Sequence, residues 1–210
     1  MRTRLLATTL ALAGCMSSTG PVLADYPVYR VVNVDDHDTL NVRATANPVS
    51  AILAELPPHA EMVEVLEEED GWGRIIVDGV EGWVSLAYLT PMDRPAAGET
   101  SAPGGLICSG TEPFWGLTIG TDGGAEFYDA YSLGEERAVR ITEGRVATGR
   151  FYPFAYRLDG EVEGLAIIDR RECSDGMSDL GYGWRAYVDV RDGEGGARLL
   201  EGCCRTPVRH

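Results

Sequence analysis

Five cysteines and 33 carboxylates are the residues with chemical potential in this chain of 210. Cys108, Cys173, Cys203 and Cys204 all fall in the second half, and an even number in a stretch of that size reads as two disulfides. The sequence has no Cys-x-x-Cys pair for redox exchange, and its cysteine spacing does not suit a zinc site. A bond between the neighbours Cys203 and Cys204 would close a strained small ring. If both lie in one strand they point to opposite faces, so one can join Cys108 and the other Cys173; which joins which is open at this level. A Ser or Cys nucleophile needs a base beside it, yet His37 and His59 sit next to no nucleophile motif and His210 is the last residue. Glu112, Asp175 and Asp179 could be drawn as a general acid and base, but with 33 acids to choose from the selection has no weight. Asp175, Ser178 and Asp179 are expected to cap a turn by bonding to backbone amides, and Glu112, beside Pro113 and two aromatics, to be a buried acid paired with an arginine. The run Glu67 to Asp70 lacks the spaced ligands and glycine bend of a calcium loop and reads as solvated. No catalytic residue, cofactor or metal is assigned.

Charge narrows the partners. All 18 basic residues are arginine, and the net charge is −15. A surface this acidic repels phosphate backbones and anionic headgroups, which argues against nucleic acid and leaves cationic proteins or peptides open. Residues 1–24 read as a signal peptide: Arg2 and Arg4 precede an apolar run, Leu5 to Ala13, too short to span a bilayer. Leu12-Ala13-Gly14-Cys15 has the form of a lipobox, in which Cys15 is acylated; Val22-Leu23-Ala24 has the form of an ordinary cleavage site. Either way the expected location is exported, in the periplasm, soluble or lipid-anchored. No later stretch approaches 18 apolar residues, so no transmembrane helix is expected.

The elements are short strands. Gly71 to Val84 reads as a β-hairpin turning at Asp78-Gly79, the strongest short-range hairpin signal because the primed turn it favours matches strand twist. Tyr29 to Val34, Leu40 to Ala44 and Ala51 to Leu56 are further strands. Through Leu40-Asn41-Val42-Arg43, the acidic EVLEEEDGW and the closing EGWV, the segment from about Val31 to Leu89 resembles the bacterial SH3 (SH3b) family. The resemblance implies a small β-barrel, here residues 25–92, that binds cell-wall peptide or an envelope protein. It puts Leu40 and Val42 inside and has Asn41 and Arg43 fix the following loop. Trp83 and Trp72 are both expected to be core and turn residues of a barrel too small to close without large side chains, with a groove role as the functional alternative for Trp72. Tyr88, whose hydroxyl needs a wet edge or a partner, and Trp72 are the candidates for an aromatic-lined ligand groove.

Residues 93–105, rich in Pro, Gly, Ala, Ser and Thr, read as a linker, partly extended and partly flexible. From 106 to 210, seven or eight short strands separated by Gly, Asp and Glu turns predict an antiparallel β-barrel or sandwich held by disulfides. GTEPFW, CSDGMSD and EGC in this half resemble an uncharacterised family of bacterial envelope proteins, which implies no activity. The chain therefore reads as mainly β and as an exported, non-enzymatic binding protein. An acidic inhibitor of a cationic lysozyme-like enzyme is the alternative, and an accessory or catalytic cell-wall hydrolase comes third. The leader predicts a mature N-terminus at acylated Cys15 or at Asp25. Intact mass of protein from a native host separates the two, and an unprocessed chain starting at Met1 would contradict both.

Overall fold

A computed structural model describes residues 28–130, 135–192 and 196–209; Cys15, Asp25 and His210, with the rest of the leader, lie outside them. The chain is almost entirely β. Its first unit runs through β1 (Val28–Val31), β2 (Leu40–Arg43), β3 (Ile52–Leu56), β4 (Val63–Glu64), β5 (Glu67–Glu69), β6 (Trp72–Val77), β7 (Val80–Ser85) and β8 (Leu89–Met92). These form two antiparallel sheets, ordered β4-β1-β8 and β3-β2-β7-β6-β5, around Val31, Leu40, Val42, Leu56, Ile75 and Val84. The β6–β7 turn is the two-residue Asp78-Gly79, both at positive φ (49° and 77°), as a primed hairpin requires. Strict alternation follows: Gly73, Ile75, Val77, Gly82 and Val84 point inward, while Trp72, Arg74 and Trp83 lie half-buried on the outer face. Trp83 and Trp72, expected in the core, are therefore outside it, because period two places Trp83 between the inward Gly82 and Val84 and Trp72 beside the inward Gly73.

The second unit runs through β9 (Leu106–Thr111), β10 (Phe114–Ile119), β11 (Gly124–Asp129), β12 (Arg137–Val146), β13 (Phe154–Gly160), β14 (Val162–Cys173), β15 (Tyr182–Asp192) and β16 (Ala197–Arg205). Each strand pairs antiparallel with the next, and β16 pairs with β9, so the eight close into a barrel with no free edge. Side chains fill it: Trp115, Phe127, Phe154, Tyr156, Leu158 and Trp184 are wholly or almost wholly buried. Both expected disulfides are present. Cys108 and Cys204, directly opposite in register, join inside the barrel; Cys173 joins Cys203 on the outer side of β16. Adjacent residues of one strand thus serve opposite faces.

The stretch 93–105, which reads as a linker, packs against the barrel. Ala97, Ala102, Pro103 and Gly104 are buried, Ala97 N–H donates to the Ala102 carbonyl (2.9 Å), and Ser101 N–H donates to Gly144 of β12 (3.3 Å). Tyr156 reaches up from the barrel interior to donate its hydroxyl to the Pro103 carbonyl at 2.7 Å. Burial pushes the pKa of that phenol up, which keeps the donor proton in place. A Cβ on Gly104 would lie 2.6 Å from the Ala96 carbonyl oxygen and 2.8 Å from that of Gly120, so only glycine lets these backbones approach.

The two units meet at one end of the barrel, where Glu64 of β4 enters. Its carboxylate accepts from the Trp184 indole N–H, from the Thr206 amide (3.1 Å), and sits 3.5 Å from the Arg170 guanidinium. Arg170 and Arg94 both lie over the Trp184 ring, 5.3 and 5.5 Å from its centroid, and Arg94 donates to the Thr206 hydroxyl. Around this centre, Glu61 and Arg209 exchange backbone hydrogen bonds (2.8 and 2.9 Å), while the Gly181 amide donates to Glu81 (3.1 Å) and Arg74 to the Gly181 carbonyl (3.4 Å). Removing one partner of a buried charged network strands the others, at a cost of about 3–5 kcal/mol. Glu64→Ala should lose that much in urea denaturation of the full chain, and a loss below about 1 kcal/mol would show that the network does not hold the units together.

Candidate functional site

A groove of about 530 Å³ opens on the first unit at its outer edge. One wall comes from the segment after β1, which carries Asp35 and Asp38; the floor carries Asn41 and Arg43 of β2; the other wall is Trp72, Ser85 and Tyr88. The hairpin places Trp72 directly opposite Ser85 in register, and a single 3₁₀ turn, Leu86–Tyr88, then swings Tyr88 to the rim, where it is 41% exposed. The two aromatics named from sequence thus line one groove. Arg43 donates to the Ser50 carbonyl at 2.8 Å and tethers the following loop, which is further closed by the Thr45 amide on the Ser50 hydroxyl (3.0 Å) and the Val49 amide on Asn47 (3.0 Å). On the opposite wall Asp38 accepts from Thr39 N–H (2.8 Å) and Asp35 from His37 N–H (3.2 Å), so both carboxylates are held at the groove's edge. Aromatic faces beside fixed carboxylates suit a ligand with apolar carbons and an amino group.

A larger groove, about 1170 Å³, lies on the barrel between residues 97–101 and strands β10 to β12. It is lined by glycines, alanines, Val139 and Ile141, short polar side chains and exposed charges of both signs, with no aromatic side chain. The smaller groove has the convergent chemistry, and size alone does not decide between them.

The acids singled out for catalysis do not form a site. Glu112 is exposed at the β9–β10 turn and is not the buried, arginine-paired acid expected; among the described residues the buried acids are Glu64 and Asp129, the latter contacted by Arg137 at 3.1 Å and by Arg198 at 2.5 Å. Neither carries a motif that marks burial: the donors to Glu64 come from the other unit, and Asp129 needs Arg198 of β16 as well as the nearby Arg137. Asp175 does cap its turn. It accepts from the amides of Ser178 (2.8 Å) and Met177 (3.0 Å) and from the Ser178 and Tyr182 hydroxyls, and the Ser178 amide above all holds its carboxyl below the usual range. Asp179 is exposed beside it. Among the described residues no group of three or more His, Cys, Asp or Glu is placed to hold a metal ion, and no helix is long and apolar enough to cross a membrane.

Residues 38–90 match the bacterial SH3 domain model, so this part of the chain is a bacterial SH3 domain. Over 64 residues, 30% of the chain, it is 39% identical to a protein of Bacillus subtilis (strain 168) named "Putative N-acetylmuramoyl-L-alanine amidase YrvJ". The match spans 12% of that relative's length.

The outward Trp83 generates a prediction. It lies opposite Arg43 and Arg74 on the outer sheet face, whereas Ile75 is fully buried. Trp83→Ala should cost about 1–2 kcal/mol of stability, less than the roughly 2–5 kcal/mol expected for Ile75→Ala. Urea denaturation of the two variants checks the order, and the reverse order would return Trp83 to the core.

Proposed function

We propose that the chain is an exported, non-enzymatic protein of the bacterial cell envelope whose SH3 domain binds cell-wall peptide. One observation carries the reading: Trp72 and Tyr88 share a groove with the carboxylates of Asp35 and Asp38, a surface that fits a stem peptide through its amino groups and apolar carbons. The amidase name of the relative supports the wall as its setting. Two disulfides support an oxidising compartment, hence the periplasm, with the chain either free after cleavage at Ala24 or anchored through acylated Cys15. The barrel serves as a module for a protein partner. No nucleophile–base pair among the described residues supports a catalytic reading.

Residues 25–92 hold 13 acids against Arg30, Arg43 and Arg74, a balance of 3 − 13 = −10. A shallow groove without convergent buried charges predicts a single-site affinity on the order of micromolar or weaker, and attraction to ligand amines predicts that binding weakens as salt rises. Full-length protein titrated with purified sacculi should bind at low salt, and Tyr88→Ala should weaken binding about tenfold, or about 1.4 kcal/mol. Failure to bind sacculi at low salt, with binding to a basic lysozyme instead, would replace this reading by the inhibitor one.

A further inference from the structure

The three motifs of the second half lie far apart in sequence and meet at one corner of the barrel. Trp115 of GTEPFW is buried, donating its indole N–H to the Glu201 carbonyl (3.0 Å), and it packs so closely that a Cβ on Gly110 would lie 2.1 Å from its nitrogen. Glu201 and Gly202 belong to EGC, whose Cys203 is bonded to Cys173 of the CSDGMSD loop. That loop lies against the hairpin: Thr111 donates its hydroxyl to the Asp175 carbonyl at 2.8 Å.

The internal contacts account for the Gly, Thr, Trp and Cys residues and for Asp175. They leave Glu112, Pro113, Phe114, Met177 and Asp179, all exposed. Phe114 stands opposite Thr111 in register and is 59% exposed; Met177, two residues beyond the carbonyl that Thr111 holds, is 69% exposed. Large apolar side chains this open lose nothing on replacement by polar ones as far as the fold is concerned. Here both stand at one corner, joined through the Thr111–Asp175 hydrogen bond, on a backbone fixed by a disulfide, a capped turn and an indole hydrogen bond. Rigid display of apolar anchors lowers the entropy lost on binding.

We propose that this corner is a protein-docking surface, in which Phe114 and Met177 enter the open cleft of a cationic protein and the flanking Glu112 and Asp179 face its basic rim. A protruding apolar pair fits a concave partner, and a chain with net charge −15 favours encounter with a cationic one. This surface is separate from the SH3 groove, so wall binding and protein binding fail independently.

The test uses the full chain, a basic lysozyme as probe and cytochrome c as an equally cationic control. At low salt the wild type should bind lysozyme at least tenfold more tightly than cytochrome c. The double variant Phe114→Ser/Met177→Ser should lose at least tenfold of that binding with unchanged thermal unfolding and unchanged binding to sacculi. Val49→Ser, at a residue 88% exposed on the other unit, should bind as the wild type does. The proposal is overturned by equal binding of the two cationic proteins, by no lysozyme binding, or by a double variant that binds normally. A concentration-dependent dimer in sedimentation, abolished in the double variant and unaccompanied by lysozyme binding, would likewise overturn it and assign the corner to self-association.

Discussion

The Glu64 carboxylate is where the molecule's two halves become one. A carboxylate withdrawn from water is stable only when its oxygens are met by donors, and here the donors come from the other unit: the Trp184 indole, the Thr206 amide and the Arg170 guanidinium. Trp184 in turn fills the barrel end and carries two guanidinium groups on its ring. The SH3 domain is therefore tied to the barrel through one buried charged cluster rather than through linker contacts alone. Its own groove lies on the edge formed by Trp72, Ser85 and Tyr88, clear of the docking contacts made through Glu61, Glu64, Arg74 and Glu81. A ligand can approach the groove without disturbing the contact between the units.

Local signals were legible in the sequence. Asp78-Gly79 announced a two-residue turn, and the turn then dictated the alternation of both arms and the position of Trp72 against Ser85. Four cysteines announced two disulfides, and strand geometry explained why neighbours Cys203 and Cys204 take different partners. Strand-rich segments between glycine and acidic turns announced a small antiparallel barrel.

What was not legible depends on partners distant in the chain. Glu64 sits just upstream of three consecutive glutamates and looks like part of a solvated run until β16 and Trp184 are brought to it. Residues 93–105 have the composition of a linker, yet small residues are also what close packing demands, and Gly104 is small because Ala96 and Gly120 carbonyls crowd it. Trp83 was misplaced because size suggested burial where register decides. Glu112 was misplaced for the opposite reason: two aromatics beside it suggested a buried setting, but only Trp115 turns inward and Phe114 stays in solvent.

The central claim, that the SH3 groove is where this protein meets the wall, is tested most directly by hydrogen exchange of the full chain with and without soluble stem peptides released from sacculi. The account predicts slowed exchange in residues 33–43 and 85–88, the two walls and floor of the groove, with the barrel strands unchanged. Protection confined to the barrel, or no protection at peptide concentrations well above millimolar, would contradict it.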